Sequence, residues 1–213
     1  MPLAVDRHEL GPIGTNCYVV RADRRATEAV IVDPGADAAE LRLRLARDGL
    51  RCVAILVTHT HYDHIGAVAE LAEATEAPVY APDGEADVLE RPEDVYGPMG
   101  IHLRGRRPDV RLQGDETLDV AGIHFESMFV PGHSPAHLAF AAEGAVFSGD
   151  VLFAGSVGRV DLPGGDWDTL LGSIRSMAER LPPETVVHPG HGPATTIGDE
   201  LAHNPFLAEL RAS

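Results

Sequence analysis

The chain has 213 residues and a formal charge of −16, from 33 acidic and 17 basic residues, with 44% hydrophobic and 23% charged residues. This is ordinary globular composition at a length suited to one domain spanning residues 1–213. A surface this acidic repels phosphate backbones and disfavours nucleic acid as a partner, and no run approaches the roughly 18–20 apolar residues that cross a bilayer.

In chain order, the start (Met1 to Tyr18) mixes Asp6, Arg7, His8 and Glu9 with the turn formers Gly11, Pro12 and Gly14. An export signal would be basic and then greasy. Two cysteines, Cys17 and Cys52, are too few for a disulfide framework, and Cys52 lies in an apolar run. A reducing, cytoplasmic location is therefore expected. Asn16 to Ala22 and Ala29 to Asp33 read as strands. Asp37 to Asp48 reads as a helix that Gly49 ends. Val53 to Val57 is a continuous apolar run, as expected of a strand covered on both faces. Gly66 to Thr75 is an amphipathic helix, Pro78 to Ala81 a short strand and Gly84 to Glu90 a short helix. Residues 91–110 are rich in Pro, Gly and Arg and read as a long surface loop, of the kind that often carries function.

The second half continues with strands at Thr117 to Val120, Ile123 to Val130, His137 to Ala141 and Ala145 to Ser148. Asp166 to Arg180 is a helix with Asp166 as its N-cap and Pro182 past its end. Glu184 to His188 is a last strand and Asp199 to Arg211 a last helix, broken near Pro205. Two βα-rich halves packed sheet to sheet, with helices outside, bury this pattern.

The strongest chemical signal is Thr58-His59-Thr60-His61-Tyr62-Asp63-His64, between a buried strand and a helix. Residues two apart in an extended segment point to one side, so His59 and His61 can reach one cation together. Asp63 and His64 sit where the chain turns into the helix and can face a neighbouring cation, although Asp63 also fits a helix cap. Imidazole and carboxylate suit zinc, and also iron or manganese. His133, Asp150 and His191 each follow a strand and a glycine, which lets the backbone turn sharply and aim the side chain.

The run His59-x-His61-x-Asp63-His64, with His133, Asp150 and His191, resembles the ligand series of the metallo-β-lactamase superfamily, over nearly the whole chain. Phe147 to Phe153, Gly158 to Asp166, His188 to Gly192 and Asn204-Pro205-Phe206 resemble its glyoxalase II (hydroxyacylglutathione hydrolase) branch, in particular the short bacterial members. The resemblance implies an α/β fold, the αββα four-layer sandwich. It implies two divalent metal ions, zinc being expected with iron or manganese as alternatives. His59, His61 and His133 would hold the first, Asp63, His64 and His191 the second, and Asp150 would bridge them, with Asp63 and Asp150 the catalytic carboxylates. The implied activity is hydrolysis of a small S-acyl thiol conjugate such as S-lactoylglutathione, by hydroxide available near neutral pH, in a monomer or homodimer with no membrane partner. Many true β-lactamases of this fold have cysteine at the position of Asp150, which counts against antibiotic hydrolysis here. A mononuclear-iron persulfide dioxygenase and a lactonase share the fold and motif.

Around these residues, Asp33 is a candidate hydrogen-bond partner for a ligand histidine, and His137 for a ligand or substrate. Arg159 reads as one half of an ion pair. His8, His102, His124, His188 and His203 read as surface or packing residues. Longer glyoxalase II enzymes grip glutathione with basic residues in a C-terminal segment. Past residue 192 this chain has only Arg211, so Arg91, Arg104, Arg106 and Arg107 are expected to supply the missing positive charge.

Overall fold

The computed structural model describes residues 3–211. The first sheet runs in sequence order: β1 (Ala4–Leu10), β2 (Thr15–Arg21), β3 (Glu28–Val32), β4 (Arg51–Leu56), β5 (Val79–Pro82) and β6 (Val110–Leu112). β1, β2 and β3 pair antiparallel, and β3 through β6 pair parallel. The parallel half needs crossovers. α1 (Ala38–Arg47) supplies the first and α3 (Val68–Thr75) the second, preceded by the single turn α2 (Tyr62–Ile65). The third crossover carries α4 (Ala86–Glu90), α5 (Pro92–Tyr96) and a 3₁₀ turn at Gly97–Met99.

The second sheet contains β7 (Thr117–Val120), β8 (Ile123–Phe129), β9 (Leu138–Ala142), β10 (Ala145–Gly149), β13 (Val186–Pro189) and β14 (Thr195–Thr196), in spatial order 14-13-10-9-8-7. Only the β10–β13 pair is parallel. Its crossover holds the small hairpin β11 (Leu152–Phe153) and β12 (Ser156–Val157), then α6 (Trp167–Arg180). α7 (Ile197–His203) and α8 (Ala208–Arg211) follow β14. Asp166 caps α6 by accepting from the Thr169 N–H at 2.8 Å.

Side-chain alternation sorts the apolar residues into three layers. Tyr18, Val30, Val32 and Leu56 of the first sheet meet Phe125, Leu138, Phe140 and Phe147 of the second. Their in-between neighbours Val19, Ile31 and Ile55 face outward onto Leu41 and Leu45 of α1 and Val68 and Leu71 of α3. Met128, Ala139, Val146 and Val187 pack on Leu170, Ile174 and Met177 of α6. The fold is thus an α/β sandwich, helix–sheet–sheet–helix, and full burial of each large side chain in it contributes roughly 1.5–3 kcal/mol.

Besides the short strands β6, β11, β12 and β14, which were not expected, the expected elements differ from these in three places. β1 is a strand where turn formers were emphasised, because its centre, Asp6 to Glu9, is polar. That suits an edge strand, where charge discourages pairing with other chains. The helix expected from Gly66 begins earlier, as α2, and restarts at Val68. Residues 91–110 are not one loop but open with α5 and the 3₁₀ turn.

His188 lies between the sheets, stacked on Phe147 at 5.1 Å and edge-on to Tyr18 at 5.2 Å. Burial pushes its pKa down to about 4. It is neutral in the folded chain, while the unfolded chain takes up a proton near 6.5, so its contribution is complete above pH 6.5 and is lost as pH falls toward 4. The loss reaches up to about 3 kcal/mol. His188→Phe should therefore lose less stability than the wild type between pH 7 and pH 5 in denaturant unfolding. Equal losses in the two proteins would refute this role.

Candidate metal centre

β3 and β4 run parallel, and β8, β10 and β13 share one direction in the second sheet. Their C-terminal ends therefore open on common edges, and the chemically loaded segments leave from these ends. His59 and His61 follow β4, Asp63 and His64 lie in α2, His133 follows β8, Asp150 follows β10 and His191 follows β13. Their ligating atoms form three overlapping sets, each within 4.8 Å: His59/His61/His133, His59/His64/Asp150 and Asp63/His64/His191. Asp150 faces both sides of the cluster. Its Oδ2 is 3.5 Å from His133 Nε2 and 3.6 Å from His191 Nε2, and its Oδ1 is 3.3 Å from His64 Nε2.

Hydrogen bonds to the outer ring nitrogens decide the tautomers. Thr58 Oγ1 donates to Asp33 Oδ2 at 2.7 Å, so it accepts from His59 Nδ1–H at 3.0 Å. The Arg159 carbonyl can only accept, so His133 Nδ1–H donates to it at 2.7 Å. Both rings therefore turn a bare Nε2 inward, toward the same His61 Nδ1, at 3.1 and 2.8 Å. One nitrogen can donate to at most one of them. On the other side, His64 Nδ1 donates to Asp33 Oδ2 at 3.0 Å, while His64 Nε2 and Asp150 Oδ1 are buried without a hydrogen-bond partner. Lone pairs converging on each other and orphaned buried polar atoms are what a bound cation resolves. The residues fit two divalent cations.

The electrostatics divide the cluster the same way. Burial first, then neighbouring imidazoles, push His59 well below the usual histidine value and His61 to about 4. Burial also lowers His133. These rings are neutral and ready to ligate. Burial opposes ionisation of Asp63 and Asp150, yet the adjacent histidines win. His191 and His64 bring Asp63 to about 2, and His64 foremost holds Asp150 well down. Burial alone would lower His64, but Asp150 and Asp33 raise it well above its ordinary value, and a hydrogen bond to Asp63 raises His191.

Three supports lie outside the cluster. Asp33, in the left-handed region at φ 49°, accepts from the Thr58 N–H and hydroxyl as well as from His64. Glu85 is 5% exposed and accepts from the Thr60 N–H and hydroxyl, the Ser134 hydroxyl and the Ala136 N–H. It ties the His59–His61 segment to the one following His133. His137 stacks on His59 at 4.5 Å, and its Nε2 accepts from the Asp150 N–H at 3.1 Å. At Gly190 a Cβ would lie 2.0 Å from Asp150 Oδ1, so only glycine lets this backbone close over the carboxylate.

Residues 10–191 match the Metallo-beta-lactamase superfamily. The chain belongs to that family. By that membership it is a metal-dependent hydrolase. It is 39% identical over 205 residues to a probable metallo-hydrolase, YqgX, of Bacillus subtilis, covering 94% of this chain and 96% of the relative. It is 35% identical over 197 residues to hydroxyacylglutathione hydrolase GloC of Haemophilus influenzae, covering 90% and 92%. Among solved structures, BLEG-1 B3 metallo-beta-lactamase superposes with a TM-score of 0.90 at 42% identity, covering 96% of this chain and all of that one. TTHA1623 in a di-iron-bound form gives 0.84 at 42% identity, covering 95% and 100%. Among the described residues no helix is long and apolar enough to cross a membrane.

Two features at the site depart from the sequence reading. Glu85 was absent from it. A single acidic residue in a short helical stretch carries no motif, and only the fold reveals that its partners come from 25 and about 50 residues away. The arginines of segment 91–110 do not reach the metal centre. Arg91 lies beside Asp87 and Asp94, Arg104 pairs with Glu73 and Arg106 with Asp109, and none of these or Arg107 lines the cleft over the cluster. Arg159 pairs with Asp161 through both carboxylate oxygens, at 2.6 and 2.7 Å.

Asp33→Ala removes the acceptor that orients His64 and anchors Thr58, and should weaken metal affinity by roughly 10–100-fold. Competition with a chelator, read by elemental analysis, measures this. Retention of wild-type affinity would show that Asp33 only closes a turn.

Proposed function

We propose that His59, His61 and His133 hold one divalent cation, that Asp63, His64 and His191 hold a second, with Asp150 between them, and that the site hydrolyses S-acyl thiol conjugates. The carrying observation is the position of Asp150, whose two oxygens face histidines of both sets at 3.3 to 3.6 Å. The likeness to a hydroxyacylglutathione hydrolase over 90% of the chain supports the thioester. Imidazole and carboxylate donors suit zinc and iron alike, and the di-iron form of a 42% identical structure makes iron the competitor to the expected zinc.

Cations held there would make hydroxide available near neutral pH and polarise a carbonyl. Everything else falls to the chain. The Thr15 hydroxyl donates to Asp63 Oδ2 at 2.7 Å and orients that carboxylate. Asp33, the Arg159 carbonyl and Thr58 hold the imidazoles in the tautomers that point bare nitrogens inward. Neither serine beside the ligands competes as a nucleophile. The Ser134 hydroxyl is spent on Glu85 and the Ser148 hydroxyl on backbone carbonyls. A thiolate leaving group, with a thiol pKa near ~8.5, needs little protonation, so the site requires no dedicated general acid.

The purified protein should contain close to two metal ions per chain and hydrolyse thioesters, S-D-lactoylglutathione among them, faster than a β-lactam or a homoserine lactone. Asp150→Ala should lower kcat by about 10²–10³-fold or more and reduce metal content at both positions. Full retention of two metals in that variant would remove Asp150 from between them. A single iron, with oxygen uptake on glutathione persulfide, would replace hydrolysis with a dioxygenase. Preferential β-lactam turnover would align the chain with the activity in BLEG-1's name.

A further inference from the structure

The cleft over the metal cluster has a volume of about 700 Å³. Its floor is polar, formed by His61, Asp63, His133, Asp150 and His191. Its walls are not. They comprise Val88, Val95, Tyr96, Met99 and Ile101 of the crossover between β5 and β6, together with Ile13, Phe153, Val157 and Leu162. Ile13, Val95 and Met99 are 50%, 45% and 62% exposed, an apolar rim that faces solvent. Tyr96 adds only its ring, because its hydroxyl donates to the Thr60 carbonyl at 2.8 Å. That bond also fixes this wall to the segment between His59 and His61.

Charge is arranged to match. The chain has no lysine. Among the described residues Arg159 is the only arginine lining the cleft, and Asp161 holds it by both oxygens. Glu85, the remaining carboxylate of the lining beside Asp63 and Asp150, is consumed by four hydrogen bonds. An anionic carrier would find no free cation in these walls, and it would approach a chain of charge −16. An alkyl or aryl group would cover the exposed rim and release its water.

We propose that the preferred substrate is an uncharged thioester with an apolar chain, seated against Val95, Met99, Ile101 and Ile13 while its carbonyl lies over the metal floor. This rests on the thioester reading of the same site. It assigns substrate selection to the β5–β6 crossover, through its apolar side chains rather than its arginines. Each methylene that leaves water for this wall raises kcat/KM by up to roughly fourfold, or about tenfold for two carbons after imperfect burial.

The test uses the metal-loaded full chain and N-acetylcysteamine thioesters with acetyl, butanoyl and hexanoyl groups, beside S-D-lactoylglutathione. Specificity should climb by about tenfold per two carbons, and the hexanoyl compound should exceed S-D-lactoylglutathione. Met99→Glu and Val95→Glu alter exposed positions and should keep the metal content. They should lower kcat/KM for the hexanoyl compound by at least tenfold, raising KM more than they lower kcat, and flatten the rise in specificity from acetyl to hexanoyl. Binding of ethanethiol, hexanethiol and glutathione, measured by calorimetry, reads the same wall without turnover. Hexanethiol should bind at least tenfold tighter than either of the others, and lose that advantage in the glutamate variants. Thioesters left intact while the thiol series keeps this order would overturn the thioester reading and leave the apolar wall standing. A flat chain-length series, or preference for glutathione and its conjugate, would overturn the wall.

Discussion

Burial of unlike polar groups at one edge of a two-sheet sandwich is the condition on which the rest of this structure depends. His59, His64, His133 and Asp150 are each at most 8% exposed, and any one of them alone in an apolar interior costs several kcal/mol. Asp33 and Glu85 make the arrangement tolerable from outside by accepting three and four hydrogen bonds. Asp33 lies outside the cleft, and Glu85, which lines it, has its carboxylate taken up by those four bonds. They bind the connecting segments to each other, so that rings leaving different strands meet within a few ångströms. What they cannot supply is the charge at the centre, which is why bare nitrogens and orphaned oxygens remain there.

Strand direction makes this possible. A parallel neighbour puts two C-terminal ends side by side, and the antiparallel pairs β8–β9 and β9–β10 bring β8 and β10 back into the same direction. The segments after β4, β8, β10 and β13 then open on a shared edge although they lie up to 132 residues apart, from His59 to His191. The interior of each sheet needs only apolar alternation. The chemistry is confined to the places where the ladder ends and a side chain is free to turn.

This division explains what could be read in the sequence. Apolar runs such as Val53 to Val57 announced buried strands, and the histidine-rich segment after it announced metal chemistry, because both signals are local. The candidate partner role of Asp33 was also legible, since Asp33-Pro34-Gly35 sits at a strand end. β1 was hidden because an edge strand with Asp6, Arg7 and His8 does not look apolar. β6, β11, β12 and β14 have two or three residues each, too few for a periodic signal. Glu85 was invisible because its significance is wholly tertiary. The 91–110 segment misled for a related reason. Its arginines were conspicuous, yet solvated ion pairs with Glu73 and Asp109 satisfy two of them at the surface. The apolar residues scattered between them, Val95, Met99 and Ile101, are the ones that face the cleft.

The same division separates reaction from substrate. The floor is carried by the segments that leave the strand ends and by α2, whereas the walls come from other connections: the β1–β2 turn with Ile13, the β5–β6 crossover and the hairpin after β10. A change in those connections alters what fits without disturbing the rings and carboxylates beneath. Proteins as alike in fold as BLEG-1 and this chain can then carry names for different chemistry. The Tyr96–Thr60 bond, the bonds of Glu85 to Thr60 and Ser134, and the His133–Arg159 bond tie the wall segments to the floor. They restrain the wall's position without dictating its polarity. Polarity is set by the side chains at the exposed rim, and in this chain those, Ile13, Val95 and Met99, are apolar.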